Sequence, residues 1–157
     1  MKRFILMATL CLSMMTCFAQ RKLIYCSCAY TNYGLPVGEI KYSYYELIAD
    51  KGKKPYVVYC EDRGEEPKKK NFPVTEKDVT TLYKILQNLN VEDLDGYNVN
   101  EDMMGGTSYR IHIEFADGKK VTASWFTHHP IEEAVSVYNT ILRFLSHQGY
   151  TRQISHQ

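Results

Sequence analysis

Three histidines are the residues whose type and spacing most suggest a chemical role. His128 and His129 stand side by side before a proline, and His112 lies in a stretch where polar and apolar residues alternate. Imidazole nitrogens bind zinc and related ions, so these neighbours with His112 or a loop carboxylate would supply three ligands. Adjacent residues of an extended segment point to opposite sides, however, which favours a polar strand end with His129 capping a helix.

The polar stretch at residues 95–106 is a second candidate site. Its carboxylates and amides are suitable calcium ligands, but no frame of the stretch places the Gly and Glu that an EF-hand requires. The stretch is longer than a link between a helix and a strand needs, which favours a loop that contacts a partner. Met103 and Met104 would offer an adaptable apolar contact there. The side chains that we expect to bind are Tyr97, Asn98, Asn100, Glu101, Asp102, Met103 and Met104.

Tyrosine is concentrated in the first half of the chain, where eight of the 13 tyrosines lie between Tyr25 and Tyr59. Packing within a β-sheet explains most of them, because tyrosine favours strands and cross-strand pairs. Tyrosine is also enriched at binding surfaces, since it combines an apolar ring with a polar tip. Tyr44 and Tyr45 are neighbours on one predicted strand and face opposite sides, so at least one of them points away from the helix-covered face.

The first 19 residues have the pattern of a secretory signal peptide. Lys2 and Arg3 precede an apolar run, and Ala19 is well placed for cleavage, which would leave Gln20 as the mature N-terminus. Lipid attachment at Cys17 is the alternative. Residues 20–157 then form one domain with 17 basic and 18 acidic residues, a balance that does not suggest nucleic acid as a partner. No later stretch is long and apolar enough to span a membrane.

Three cysteines remain in the mature chain: Cys26, Cys28 and Cys60. Export places them in an oxidising compartment, where an odd count predicts one pair and one free thiol. On a strand, Cys26 and Cys28 face the same way, so Cys60 on a neighbouring strand would lie opposite either of them. We therefore expect a structural disulfide that uses Cys60 and one of the other two; a three-thiolate metal site is the less favoured alternative.

The first half of the mature chain predicts three strands and a helix. Residues typical of strands dominate 22–30, and two further runs flank a turn at Gly52, as in a β-hairpin. The segment 63–73 is charged and contains two prolines, which predicts a solvated connector or a disordered excursion. Thr75, followed three residues later by Asp78, is typical of the capping box that begins a helix.

The second half predicts a hairpin and a final helix. Tyr109, Ile111, Ile113 and Phe115 alternate with Arg110, His112 and Glu114, so the two sets should lie on opposite faces of one strand. Only a three-residue turn at 116–118 brings Val121, Ala123 and Trp125 to the apolar face. Pro130 favours the start of a helix, and the tail from about residue 146 is polar. The order β-β-β-α-β-β-α predicts an α+β fold: an antiparallel sheet of about five strands with two helices on one face.

The stretch from Gly105 to Leu145 resembles an uncharacterised family of small exported bacterial α+β domains. The resemblance is carried by the start at Ser108-Tyr109, the alternating strand, the Asp-Gly-Lys turn at 117–119, the second strand and the helix led by Pro130. The helix and loop before this stretch also fit. The chain departs from the family pattern at 125–129, where the family usually has a small turn that contains glycine. The resemblance implies a fold and neither an activity nor catalytic residues.

These observations predict a non-enzymatic exported module that binds a protein, peptide or glycan. The expected binding surface combines a sheet face with Tyr44 and Tyr45 and the loop at 95–106. No nucleotide-binding, zinc-protease or serine-hydrolase motif occurs, and the sequence implies no cofactor. The alternative is a metal-dependent or hydrolytic enzyme that uses His128, His129 and the acidic loop.

Overall fold

The computed structural model describes residues 21–35, 38–50, 52–64, 66–99, 106–126 and 130–154, with side chains described up to residue 148. Several predicted features lie outside these residues: the signal peptide with Cys17 and Gln20, the loop residues Asn100, Glu101, Asp102, Met103 and Met104, and the pair His128 and His129.

Within the described ranges the chain forms seven strands, two α-helices and one short 3₁₀ helix. The strands are β1 (Leu23–Asn32), β2 (Tyr42–Ile48), β3 (Tyr56–Asp62), β4 (Lys68–Pro73), β5 (Asn98–Val99), β6 (Thr107–Phe115) and β7 (Lys120–Phe126). The helices are α1 (Glu76–Asn88) and α2 (Glu132–Ile154), and the 3₁₀ helix (Val91–Leu94) follows α1.

All seven strands belong to one sheet, in the order β4-β3-β2-β1-β6-β7-β5. Neighbouring strands are antiparallel except β5, which runs parallel to β7, so the sheet is mixed. The α+β class is therefore confirmed, whereas the predicted antiparallel sheet of about five strands agrees only roughly, because the sheet has seven strands and one parallel pair. The two additional strands, β4 and β5, lie at the two edges of the sheet.

Strand β4 occupies part of the segment that we expected to be a connector. Its sequence, KKKNFP, pairs along its length with β3, from Tyr56 opposite Pro73 to Glu61 opposite Lys68. Exposed lysines and a proline are what natural sheets place on an edge strand, because they discourage pairing with another chain. The charge that suggested a solvated connector is therefore compatible with an edge strand.

Both helices pack on one face of the sheet, here called the inner face. Its buried side chains are Cys26, Cys28, Leu47, Val57, Ile111, Ile113, Val121, Ala123 and Trp125. They form one apolar cluster with Leu82 and Leu86 of α1 and with Ile141 and Leu145 of α2. Burial of this continuous apolar surface is the main stabilising contribution to the fold.

The start of α1 agrees with the sequence prediction, whereas the end of α2 does not. The predicted capping box of α1 is confirmed: the amide of Asp78 donates to Thr75 Oγ1 at 3.2 Å, and the amide of Thr75 donates to Asp78 Oδ2 at 2.7 Å. Helix α2 continues to Ile154, where we expected a polar tail from about residue 146.

The hairpin of β6 and β7 has the predicted register. Ile113 lies opposite Val121 and Tyr109 lies opposite Trp125, as the three-residue turn requires. Gly118 closes that turn with a φ of 88°, a left-handed conformation that glycine adopts without strain. Because the register is fixed in this way, Ser108, Arg110, His112 and Glu114 of β6 lie on the opposite, outer face of the sheet.

The predicted pairing of Cys60 with Cys26 or Cys28 is wrong. Strand β2 separates β3 from β1, and all three thiols are free. Cys60 lies opposite Tyr44 in the sheet, whereas Cys28 lies opposite Tyr45, so the thiols of Cys60 and Cys28 are on opposite faces. The prediction failed because the side of the sheet that Cys60 faces depends on the pairing of β2 with β3.

We expect none of the three thiols to react with an alkylating reagent in the native mature chain at mildly alkaline pH. The relative exposures of Cys26, Cys28 and Cys60 are 0%, 1% and 2%, and burial raises the pKa of the Cys28 thiol to about 12 and that of the Cys26 thiol as well. Mass spectrometry should show three adducts after denaturation and none before it. An adduct on the native chain, or a disulfide, would contradict this expectation.

Candidate functional site

The outer face of the sheet is the candidate site, because neither described helix packs on it. Alternation on β6 places Ile111 and Ile113 on the inner face and Arg110, His112 and Glu114 on the outer one. Residues of β1 and β2 that pair with these positions also point to the outer face and lie beside them. A sheet that is covered on one side exposes on its other side the side chains that can meet a ligand.

These residues form a depression, here called the outer-face groove, that encloses about 400 Å³. It is lined by Tyr25, Ser27, Ala29, Tyr42, Tyr44, Glu46, Arg110, His112 and Glu114. Small side chains on the central strand β1 make its floor, and longer side chains on β2 and β6 make its two walls. The volume lies within the range of small-molecule binding sites, about 300–1,000 Å³.

The sheet register explains the depth of the groove. Ala29 lies between Tyr44 of β2 and Arg110 of β6, two residues along β1 from Ser27 and on the same face. Ser27 lies in turn between Glu46 and His112. Alanine and serine reach less far from the sheet than any of their four neighbours, so a channel remains above β1.

A second depression, the side groove, adjoins the first one and encloses about 290 Å³. It is lined by Gly96, Tyr97, Asn98, Arg110, Ile111, His112, Thr122, Ala123 and Ser124. Arg110 and His112 line both grooves, so they stand on the ridge between them. A ligand that occupied both grooves would therefore pass over these two side chains.

A chain of hydrogen bonds orders one end of the outer-face groove. Glu114 Oε1 accepts hydrogen bonds from Lys120 Nζ and is bonded to His112 Nε2, each at 2.8 Å. These contacts, with Lys120 as the larger influence, hold the pKa of the Glu114 carboxyl below its usual range. The ring of Tyr25 packs edge-on against His112, with 5.4 Å between the ring centroids. His112 is therefore held in place from two sides.

Tyr25 also connects this end of the groove to the opposite wall. Its hydroxyl donates a hydrogen bond to Glu46 Oε1 at 2.9 Å. Burial raises the pKa of Tyr25 to about 12, so the hydroxyl keeps its proton and remains a donor at neutral pH. The Glu46 carboxylate is thus positioned on the β2 wall, where it can accept hydrogen bonds from a ligand.

The other end of the groove combines tyrosine rings with a positive charge. The rings of Tyr42 and Tyr44 lie 5.4 Å apart and form the β2 wall there. Burial raises the pKa of Tyr42, and the nearby positive charge of Arg110 opposes that rise. Burial also raises the pKa of Tyr44, together with a hydrogen bond to Cys60. Both hydroxyls therefore stay protonated at neutral pH.

The structure separates the two tyrosines that the sequence singled out. Tyr44 lines the outer-face groove, whereas Tyr45 lies on the inner face, packed against the apolar cluster and 4.7 Å from the ring of Tyr59. The expectation that the two point to opposite sides is confirmed. Tyr45 does not line the groove, because its partly buried ring packs against the apolar cluster, and its binding role stays a prediction.

Part of the predicted 95–106 loop is ordered against the sheet edge. The hydroxyl of Tyr97 accepts a hydrogen bond from the amide of Ile131 at 3.1 Å, and its ring lies 6.2 Å from that of Trp125. Asn98 Oδ1 accepts a hydrogen bond from Ser124 Oγ at 2.9 Å. Both residues therefore attach β5 to its surroundings while they line the side groove.

Sequence reasoning assigned no binding role to most of the groove. The residues not predicted to bind are Tyr25, Ser27, Ala29, Tyr42, Glu46 and Arg110, and on the polar face of β6 only His112 was considered, as a metal ligand. Alternation along each strand was the available signal, since it places every one of these residues on the outer face. Which of them are neighbours depends on pairing between strands that are distant in sequence.

The described residues give no support to a metal centre. Within the described residues, no group of three or more His, Cys, Asp and Glu side chains could hold a metal ion. His112 is bonded to Glu114, and His128 and His129 lie outside the described residues.

None of the helices that the structure describes is long and apolar enough to cross a membrane. Comparison with known proteins finds no family model and no curated protein that matches the chain. The resemblance to a family of small exported α+β domains therefore stays a prediction.

Proposed function

We propose that this chain is an exported, non-enzymatic binding module that holds a glycan in the outer-face groove. The observation that carries the proposal is the groove itself: a channel floored by Ser27 and Ala29, between a wall of tyrosines and a wall of charged side chains. It opens on the sheet face away from both described helices.

The chemistry of the walls fits a sugar ring. A pyranose has apolar C–H faces, which pack on aromatic rings, and a rim of hydroxyls, which need donors and acceptors. Tyr42 and Tyr44 supply rings with polar tips, while Glu46, Arg110 and His112 supply acceptors and donors. A few convergent polar groups beside aromatic rings are typical of small-ligand sites.

The same surface fits a protein or peptide partner less well. Protein interfaces have an apolar centre with few charged residues, whereas charged side chains line the centre of this groove. Peptides that add to a sheet bind along an edge strand. Here the edges are β4, which carries three lysines and ends at Pro73, and β5, which has two residues.

Export belongs to the same proposal and rests on the N-terminal sequence. The basic start, the apolar run and Ala19 form the pattern that a signal peptidase reads. The mass of the protein recovered from the cell exterior or envelope should correspond to a chain that starts at Gln20. A lipid on Cys17 would instead show that the chain is membrane-anchored.

A glycan array tests the proposed function, with tyrosine variants as the discriminating pair. We expect Tyr44→Ala to weaken binding by roughly tenfold or more, because a ring contact with a ligand contributes on the order of 1–3 kcal/mol. Tyr33→Ala is the matched control: Tyr33 is 65% exposed and lies outside the groove, so its loss should leave affinity unchanged. Equal binding by the two variants, or no binding of any glycan by the wild type, would overturn the proposal.

A further inference from the structure

We propose that the bound glycan carries a carboxylate, as an acidic sugar does, and that Arg110 binds this group. The inference rests on the proposed function, because it names the kind of sugar that the outer-face groove selects. It follows from the charges in the groove, from the place of Arg110 in the sheet and from the position of the acidic residues.

Arg110 is a positive charge that none of the described residues neutralises. Among the described residues it forms no hydrogen bond and no ion pair, although it lines both grooves. The neighbouring cation, Lys120, differs in this respect, because Glu114 binds it at 2.8 Å. An anionic group that enters the groove would therefore find Arg110 available and would have to displace Glu114 to reach Lys120.

The register gives the guanidinium of Arg110 an open approach. Its neighbour on β1 is Ala29, whose side chain is too short to cover it, and beyond Ala29 stands the ring of Tyr44. A planar guanidinium with several N–H donors matches a carboxylate better than a hydroxyl, because it can donate two parallel hydrogen bonds. A sugar ring packed on the tyrosine wall would thus present a carboxylate on its rim to Arg110.

The acidic residues fix the orientation of such a ligand. Glu46 and Glu114 lie toward the other end of the groove, in the rows of Ser27 and of Tyr25 respectively. Their negative charges repel a carboxylate at that end and accept hydrogen bonds from sugar hydroxyls there. The groove therefore favours one orientation of the sugar, in which the carboxylate lies near Arg110 and the hydroxyls lie near Glu46.

Matched pairs of immobilised oligosaccharides test the inference. One member is an oligomer of galacturonic or glucuronic acid, and the other is the same oligomer after reduction of its carboxyl groups to alcohols. We expect the wild type to bind the acidic member roughly tenfold or more tightly, because hydrogen bonds to a charged group are about twice as strong as neutral ones. Arg110→Gln should remove this preference while it leaves binding to the neutral member unchanged.

Lys69→Gln is the matched control, since it removes one positive charge from an exposed edge-strand position outside the groove. It should keep the full preference for the acidic oligomer. Equal binding of the two oligomers by the wild type, or an Arg110→Gln variant that keeps the preference, would overturn the inference and leave the glycan-binding proposal intact. Binding of acidic peptides with no binding of either oligomer would overturn both.

Discussion

Replacing Ile113 with alanine should lower the free energy of unfolding by about 2–5 kcal/mol, as measured by urea denaturation. Ile113 is 0% exposed at the centre of the inner face, opposite Cys26 on one neighbouring strand and Val121 on the other. Truncation deletes buried apolar atoms, so their transfer free energy is lost, and it leaves a cavity. Both effects destabilise the native state. The size of the loss depends on how far the surrounding side chains can move into that cavity.

Ile131→Ala provides a control with the same chemical change. Ile131 precedes α2 and is 42% exposed. Its hydrogen bond to Tyr97 comes from the backbone amide, which the substitution does not change. Its truncation should change the free energy of unfolding by less than about 1 kcal/mol, as for an ordinary surface site. Similar losses for the two variants would show that the inner face of β6 is not the centre of the core. Glycan binding by folded Ile113→Ala should remain, because Ile113 does not line the outer-face groove.

The inner face could be predicted because its information is local. Alternation along residues 107–115 separates apolar from polar side chains, and turn length alone decides which residues of β7 join them. The capping box of α1 is equally local, since Thr75 and Asp78 are three residues apart. Features that depend on neighbouring residues of the chain were therefore readable without a structure.

The groove and the thiols were missed because they depend on pairing over long sequence distances. Ala29 makes a groove floor only when β6, some eighty residues later, brings Arg110 beside it. The position of Cys60 on the outer face likewise depends on how β3 pairs with β2. Strand β4 was missed for a different reason, because the lysines of an exposed edge strand have the composition of a solvated connector.

Filling the groove should have the largest effect on binding. We expect Ala29→Phe to weaken glycan binding by about two orders of magnitude or more, because a benzyl side chain would occupy the channel between Tyr44 and Arg110. Ala29 is partly exposed on the outer face, and phenylalanine favours strands, so the thermal stability should change little. Isothermal titration of the best glycan from the array, with a melting curve for each variant, measures both quantities.

Two controls separate blockage of the groove from a general effect of added aromatic surface. Lys69→Phe adds the same ring to the outer face on the edge strand β4, outside the groove, and should leave affinity unchanged. Ser27→Ala keeps the floor low and should alter affinity only a few-fold, since it removes one hydroxyl and blocks nothing. If Ala29→Phe bound the glycan as tightly as the wild type, the ligand would have to lie elsewhere, because a ring at this position and a sugar in the channel cannot occupy the same space.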